Sequence, residues 1–476
     1  MRSVTLLLVA LTLVLSACAP REVPTTGGTM APARAEPLAA STLAATATAV
    51  PPTATTAPTS TSTATPSPSA SPTPEPVGII RVDTLEAERY PFPENGNCSL
   101  AEAISAANLL QPVDGCAAGV EDQTVIELAP GTYRFTQPDV TPQQNEWVLH
   151  TSPAGSALPT INRTLTLRGN GAVLSREDAT EPFRLLEVLY GTFTLEDITL
   201  QGGDVGADAW GGALLVQNAS VNLDRVEVKG SKAENGGGVH VSNGAVNIRD
   251  SVFSGNEAAF SGGGVYIIDA RANITTSQFL ENRNDGYGAG LYAERVTILL
   301  TDSIFIGNVN PTSRGGGLNI QEAEATVLRC QFYNNVAGMT GGGASFRNFI
   351  YEEDIAEAEA DPMLMVEDNP YLQEYFDTIP GFRETLVAHP SGMFQSINLE
   401  IQIHDSCFQG NTTLDPEDPN WSSAIAGVSF AQNNYYGDPS GPGGMGPGKG
   451  DQVGRSVEFE PFLTQPPAHC DLSLAE

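Results

Sequence analysis

The chain has 476 residues, enough for two or three ordinary domains or for one elongated repeat domain. Its 23 Lys and Arg stand against 56 Asp and Glu, which gives a formal net charge of −33. A surface this acidic repels nucleic acid and anionic lipid headgroups, so nucleic acid is excluded as a partner. A polyanionic sugar would need a bridging cation to approach it.

The first residues are predicted to form an export signal. A mostly apolar run from Val4 to Leu15 is too short for a comfortable membrane span but suits a secretory signal. The ending "LSAC" resembles the lipobox of bacterial lipoproteins. That resemblance implies a signal peptide at residues 1–17 and several acyl chains on Cys18, which would anchor the protein to a bacterial cell membrane or outer membrane. An ordinary signal peptide with an incidental Cys is the alternative.

The segment 18–76, which follows the signal, consists almost wholly of Thr, Pro, Ala and Ser. Such a segment has too little apolar surface to offset the entropy of ordering. We therefore expect a disordered stalk that holds the folded part away from the membrane and exposes it outside the cytoplasm.

Five cysteines remain after Cys18. Cys98 and Cys116 close a short loop, and we predict that they pair in an oxidising compartment, with a contribution of about 3 kcal/mol. At least one of Cys330, Cys407 and Cys470 must stay unpaired within the chain, and their pairing stays open. The histidines are scattered and no CxxC occurs, which disfavours a metal site.

Residues 77–123 are predicted to form an N-terminal cap. In "CSLAEAISAANLL", Ser99 and Glu102 match the S-x-x-E capping box. The apolar residues that follow lie along one helical face: Leu100, Ala103, Ile104 and Ala107. A short amphipathic helix here would cover the first turn of whatever fold follows.

A repeat then dominates the chain. A Phe followed three residues later by an Asn recurs at steps of 26, 26 and 27 residues and returns once more after an interruption, in the pairs Phe253/Asn256, Phe279/Asn282, Phe305/Asn308, Phe332/Asn335 and Phe408/Asn411. Glycine clusters follow each pair in phase, as in Gly262–Gly264. A period of this length built from short alternating segments indicates a solenoid.

The period predicts an all-β, single-stranded parallel β-helix over residues 124–346 that continues in last turns within 396–476, with three strands in each of roughly ten turns in all. Each Phe is expected above the preceding one, and each Asn at a left-handed corner bonded to neighbouring turns. The glycines are expected at another corner, where a Cβ would clash. Upstream, Leu200 and Glu227 occupy the predicted Phe position.

The segment 347–395 interrupts the repeat and is acidic and rich in helix formers. Its composition predicts a helical insert on one face of the solenoid, followed by the last turns and a closing segment at 396–476. Insertions of this kind often carry binding. Trp421, Tyr435 and Tyr436 are the candidate ligand surface, and a tolerated surface decoration is the alternative.

Several stretches resemble known β-helix proteins. "CSLAEAISAAN" is similar to the CSLREA-type motif that opens a class of secreted bacterial proteins with right-handed β-helices, with Ala101 where Arg is usual. "QTVIELAPGTY" and "NNYYGDPSGP" also resemble parts of that class. The FxxN and glycine alternation is similar to the repeats of chlamydial polymorphic membrane proteins. These resemblances imply a right-handed, pectin-lyase-like fold and a cell-envelope context, but no activity.

No catalytic residue is predicted. The Asp-Asp, Gly-His-Gly and Arg-x-Lys patterns of pectin-degrading enzymes on this fold do not occur in the chain. The arginines of the repeat are expected to pair outward with carboxylates: Arg225, Arg249, Arg271, Arg295, Arg314 and Arg329. His240 and His404 are expected to face solvent. No cofactor is predicted apart from a weak Ca²⁺ ladder on Asp224, Asp250 and Asp302.

The sequence therefore predicts a lipid-anchored β-helix outside the cell that serves adhesion, surface display or glycan binding without catalysis. Its partners would be carbohydrate or another cell-surface protein. The alternative is a carbohydrate-active enzyme, a polysaccharide lyase or a glycoside hydrolase.

Overall fold

The computed structural model describes residues 78–141, 154–177, 181–347, 401–414, 422–427, 429–454 and 456–475. The predicted signal peptide, Cys18, the stalk, Trp421 and all but the first residue of the predicted insert lie outside the described residues. Within the described ranges, no helix is long and apolar enough to cross a membrane.

Short strands make up nearly all of the described chain. The first are β1 (Ile79–Arg81), β2 (Thr124–Glu127), β3 (Thr132–Phe135), β4 (Gly155–Ser156), β5 (Leu165–Arg176), β6 (Phe183–Arg184), β7 (Leu186–Val188), β8 (Thr192–Gln201), β9 (Leu214–Gln217), β10 (Ser220–Lys229) and β11 (Lys232–Ala233). The middle strands are β12 (Val239–Arg249), β13 (Val252–Ser254), β14 (Glu257–Ala258), β15 (Val265–Thr275), β16 (Gln278–Leu280), β17 (Arg283–Asn284), β18 (Leu291–Thr301), β19 (Ile304–Ile306) and β20 (Val309–Asn310).

The remaining strands are β21 (Leu318–Gln321), β22 (Glu324–Leu328), β23 (Gln331–Tyr333), β24 (Val336–Ala337), β25 (Ala344–Arg347), β26 (Ile401–His404), β27 (Cys407–Gln409), β28 (Thr412–Thr413), β29 (Ile425–Ala426), β30 (Ser429–Phe430), β31 (Pro442–Gly444), β32 (Gly450–Val453) and β33 (Val457–Glu458). The helices are α1 (Leu100–Leu109) and a 3₁₀ turn at Leu472–Ala475.

The strands stack as a parallel solenoid. β12 pairs with β15, β15 with β18, β13 with β16 and β14 with β17, all in parallel. Each middle turn thus contains one long bent strand and two short ones. This confirms the predicted all-β, right-handed parallel β-helix, with about nine turns where roughly ten were expected.

The repeating Phe residues form one column inside the solenoid. Phe253 lies opposite Phe279 in the register of β13 and β16, and successive rings are stacked. The ring centroids are separated by 5.2, 4.6, 4.9 and 4.8 Å from Phe253 to Phe408. Upstream, Leu200 continues the column as predicted, but the next member is Val228 and not Glu227. Glu227 pairs with Val252, whose side chain is half-buried, so the aligned phase was off by one residue.

The repeating Asn residues form a hydrogen-bonded ladder beside the Phe column. The Oδ1 atom of Asn282 accepts the backbone N–H and the side-chain Nδ2 of Asn256, at 3.0 and 3.1 Å. The same pair of bonds links each later turn to the next, through Asn308, Asn335 and Asn411. Bonding between turns was predicted, but the left-handed conformation belongs to the preceding residue, such as Gly255 or Glu281.

A second buried ladder is built from serines. Ser277 Oγ accepts the backbone N–H of Ser251 at 3.3 Å, and Ser303 Oγ accepts that of Ser277 at 3.2 Å. Cys330 stands in the next position, and its own backbone N–H donates to Ser406 Oγ at 3.0 Å. Cys330 is buried and has no disulfide partner.

The glycine corners require glycine for two reasons. Gly262 has φ of +65°, a left-handed conformation that side chains rarely adopt. A Cβ on Gly263 would lie 2.5 Å from the carbonyl oxygen of Arg283 in the next turn. Backbones of neighbouring turns can approach this closely only because no side chain intervenes.

Helix α1 begins at the predicted capping box. Ser99 Oγ accepts the backbone N–H of Glu102, and the Glu102 carboxylate accepts that of Ser99. Residues 100–107 are buried on all sides, and not only along one face. The structure joins Cys98, which precedes the helix, to Cys116 in a disulfide.

Candidate ligand-binding face

An outward-facing column of rings crosses three successive long strands. His240 on β12 lies opposite Tyr266 on β15, which lies opposite Tyr292 on β18. Their neighbours Val239, Val265 and Leu291 are fully buried. Because successive side chains of a strand point to opposite faces, the three rings point away from the core.

The column is part of a continuous chain of six rings. Trp210, from the preceding turn, stacks on His240 with centroids 5.1 Å apart, and His240 stacks on Tyr266 at 4.8 Å. Tyr266 and Tyr292 are 5.0 Å apart, and Tyr287 stacks on Tyr292 at 5.9 Å. Phe260 ends the chain, edge-on to Tyr287 at 6.1 Å. We call these six residues the ring chain.

His240 corrects one expectation from the sequence. It points away from the core as predicted, yet only 2% of it is exposed, and neither ring nitrogen has a hydrogen-bond partner. Trp210 and Tyr266 cover both faces of the imidazole. Burial, and then the nearby Arg184, lower the pKa of His240 to about 3, so the imidazole is neutral.

A carboxylate joins two of the phenols. Tyr266 Oη and Tyr292 Oη both donate to Glu294 Oε2, at 3.3 and 3.0 Å. Arg295 donates to the other oxygen of Glu294 and makes a bidentate pair with Asp269, at 2.8 and 2.9 Å. Burial, followed by the charge of Glu294, raises the pKa of both phenols. Glu322, an exposed residue of the next turn, has its pKa raised by partial desolvation and then by the same charge.

Phe260 gives the ring chain an exposed end. Its relative exposure is 52%, whereas Tyr292 within the chain is 4% exposed. Asn284 is buried and donates Nδ2 to the carbonyl oxygens of Phe260 and Tyr287, at 3.0 and 2.6 Å. The two loop tips that carry the terminal rings are therefore tied together, and the exposed ring is held on a fixed base.

Of the ligand surface predicted from the sequence, Tyr435 and Tyr436 lie away from the ring chain and are buried, and Trp421 lies outside the described residues. Tyr436 is fully buried and stacks on Phe408 with centroids 5.6 Å apart, so it ends the Phe column. Its neighbour Tyr435 is 5% exposed. Sequence reasoning missed the ring chain, although the spacing of His240, Tyr266 and Tyr292 is 26 residues, the period of the repeat.

The three aspartates of the predicted Ca²⁺ ladder do not lie in one column. Asp224 lies opposite Arg249, and its carboxylate pairs with Arg249 and Arg225. Asp250 and Asp302 lie instead at a corner where the backbone adopts the left-handed conformation in each turn. Aspartate alternates there with arginine or threonine, in the series Asp197, Arg225, Asp250, Thr276, Asp302, Arg329 and Asp405. Arg225 and Arg329 neutralise neighbouring carboxylates of this corner, and Thr276, which donates its hydroxyl to Asp250, separates Asp250 from Asp302.

The outward pairing predicted for the arginines is seen at four positions. Arg225 is bidentate to Asp197 at 2.5 and 2.9 Å, and Arg329 is bidentate to Asp302 at 2.6 and 2.5 Å. Arg249 and Arg295 pair with Asp224 and Asp269. These arginines hold the pKa of Asp197 and Asp302 below the usual range. His404, half-buried, contacts the carbonyl oxygen of Gln432 at 3.1 Å.

No protein-family model matches the chain, and no curated protein or solved structure matches it significantly. The fold itself defines the class: a right-handed parallel β-solenoid with a capping helix.

Proposed function

We propose that this chain is a lipid-anchored, surface-displayed β-solenoid that binds glycan without catalysis. The lipobox-like ending at Cys18 and the Thr- and Pro-rich stalk support the anchoring and the display. The solenoid would then be the part that meets a partner outside the cell.

The observation that carries glycan binding is the exposed ring of Phe260 on its rigid base. An aromatic ring at a loop tip loses little conformational freedom on contact, because Asn284 and the stacked rings already fix it. The apolar face of a pyranose ring is suited to cover such a surface, while hydroxyl groups at its rim remain hydrated.

A glycan-binding screen with the full chain tests this proposal. We expect at least one glycan to bind, and Phe260→Ala to weaken binding at least about tenfold, since loss of an interface aromatic commonly costs more than 1 kcal/mol. Leu299→Ala is the matched control, because Leu299 is 44% exposed and lies outside the ring chain. Absence of any bound glycan, or equal binding by Phe260→Ala and wild type, would contradict the proposal.

One observation favours the alternative of a carbohydrate-active enzyme. Partial desolvation, followed by the charge of the nearby Glu294, raises the pKa of the exposed residue Glu322, and a carboxyl group with a raised pKa is what the general acid of glycoside hydrolysis requires. A degradation screen with and without Ca²⁺ tests it. Product release that is lost in Glu322→Gln and retained in the exposed neighbour variant Glu324→Gln would establish catalysis in place of binding alone.

A further inference from the structure

The residues after β33, 459–475, form a segment that we call the C-terminal strap. Three hydrogen bonds hold it against two earlier turns, one that contains Asn434 and one that contains Gln331 and Asn334. Leu463 N–H donates to the carbonyl oxygen of Asn434 at 2.9 Å, Asp471 N–H donates to Gln331 Oε1 at 2.8 Å, and Asn334 Nδ2 donates to the carbonyl oxygen of Ala475 at 3.1 Å. Since none of these bonds involves a cysteine, they hold the strap in place independently of any disulfide.

Three metal-ligating side chains meet where the strap crosses β27. Cys407, His469 and Cys470 each place one ligand atom within 4.8 Å of the other two. Among the described residues, these three form the cluster of side chains that could together hold a metal ion. Cys407 is buried and is joined to Cys470 in a disulfide, with the Cα atoms 6.2 Å apart.

The histidine of this cluster is oriented by the backbone. His469 Nε2 lies 2.7 Å from the carbonyl oxygen of Asp405. A carbonyl oxygen only accepts, so Nε2 carries the proton and Nδ1 keeps its lone pair. A histidine that ligates a metal through one nitrogen usually donates the other N–H in this manner.

We propose that Cys407, His469 and Cys470 form a Zn²⁺ site whenever the disulfide between the two cysteines is open. A dithiol supplies two electrons and two protons, which convert the cystine to two thiols. The dithiol is itself oxidised to a disulfide. Zn²⁺ then displaces both thiol protons and binds two thiolates and Nδ1, with water in the fourth position.

The remaining free thiol does not compete for the cation. Cys330 lies one strand away from Cys407 but is fully buried among core residues. Thiolate is the ligand form, and a thiol closed off from solvent on all sides offers neither a route for the ion nor room for water. The site therefore has two sulfur ligands and one nitrogen ligand, a set that suits Zn²⁺ better than the hard cations Ca²⁺ or Mg²⁺.

The experiment uses the full, untagged chain, reduced with a dithiol that is then removed under argon. Zn²⁺ binding is measured by calorimetry, and Co²⁺ serves as a spectroscopic substitute. We expect one Zn²⁺ per reduced chain, none per oxidised chain, and a thiolate-to-cobalt charge-transfer band. Cys470→Ser should abolish binding. His469→Ala should weaken it more than ~100-fold, since even loss of a metal ligand's hydrogen-bond partner costs 10–100-fold.

Two control variants make the assignment specific. The double variant Cys98→Ser, Cys116→Ser removes the other disulfide, and His404→Ala removes a half-buried histidine outside the cluster; both should bind Zn²⁺ as wild type does. Equal binding by wild type and Cys470→Ser, or Co²⁺ binding without the charge-transfer band, would overturn the proposal. Loss of the β-sheet circular dichroism signal on reduction would also overturn it, because the strap must stay in place.

Discussion

The side-chain amide of Asn411 donates to the carboxylate of Asp451, with Nδ2 and Oδ2 2.8 Å apart. Asp451 thereby ends the asparagine ladder. Its carboxylate also accepts the backbone N–H groups of Gly410 and Asn411, at 3.2 and 2.9 Å. The ladder that runs through the solenoid closes on an ionisable group, and this couples the last turns to pH.

Asp451 is expected to make the last turns less stable at neutral pH than at mildly acidic pH. Burial raises the pKa of Asp451 to about 6, although its three hydrogen bonds oppose the shift. A carboxyl group whose pKa is raised by folding stabilises the folded state fully below its unfolded pKa of about 3.9, and this contribution is lost as the pH rises through about 6. Two pKa units correspond to about 3 kcal/mol.

Denaturant unfolding at pH 5 and pH 7.5 measures the part of this loss that falls between the two pH values, about 1.4 kcal/mol, because at pH 5 the carboxyl group of the unfolded chain is already ionised. Because the whole chain is acidic, other carboxyl groups also contribute to the pH dependence of the unfolding free energy. The Asp451 contribution is therefore the difference in that pH dependence between wild type and Asp451→Asn, which should remove most of it. Asp438 is the control, since its hydrogen bonds to Ser440 lower its pKa and Asp438→Asn should not reproduce the effect. Identical pH dependence in wild type and Asp451→Asn would refute the coupling.

Asn308→Ala should destabilise the solenoid by about 2–5 kcal/mol. The substitution removes the acceptor of both the backbone N–H and the Nδ2 of Asn282, and each buried donor left without an acceptor costs about 1–3 kcal/mol. Asn247→Ala is the matched control on the outer face, where Asn247 is exposed and the change should stay within about 0.5 kcal/mol. Chemical denaturation followed by circular dichroism distinguishes the two.

Cys330→Ser should be tolerated and should stabilise the core by about 1 kcal/mol. A serine at this position continues the serine ladder, and its hydroxyl is a stronger acceptor than the thiol that faces the backbone N–H of Ser303 in wild type. In wild type, burial raises the pKa of the Cys330 thiol to about 12, so a thiol reagent should label it only after unfolding. Rapid labelling of Cys330 in the native chain would show that the core is open.

Cys18→Ala should release the protein from membranes. Under the proposed lipid anchoring, the lipobox-like ending would place the acyl chains on this residue. Fractionation of cells that express wild type and Cys18→Ala measures the change, and Cys330→Ser serves as the cysteine control. Persistent membrane association of Cys18→Ala would contradict lipid anchoring.

The periodic part of the molecule was predictable because one turn sets the environment of the next. The spacing of Phe253 and Phe279 sufficed to place one ring above the other, and the capping box at Ser99 sufficed to start α1. Where the repeat motif lacks its Phe, the phase was misjudged by one residue, and Glu227 was placed where Val228 lies.

The candidate site was less predictable because it joins residues from different parts of the repeat. Trp210 and Tyr287 reach His240 and Tyr292 from the loop position just before the glycine corner. The intervening turns hold Asn235 and Ser261 at that position, so no aromatic repeat marks it in the sequence. Outward orientation also suggested exposure for His240, whereas contacts with Trp210 and Tyr266 bury it. Tyr436 was misplaced for the opposite reason, because a turn-rich sequence near the end concealed a core ring.

The corner series from Asp197 to Asp405 bears on how such a chain can lengthen. Neighbours in the series are oppositely charged, or one of them is neutral, so each Asp meets an Arg or a Thr. Copying a single unit of 26 or so residues next to itself would set like charges side by side at that corner. Copying two adjacent units would preserve the alternation. We therefore expect genes that encode such repeats to lengthen by duplicating two units at a time.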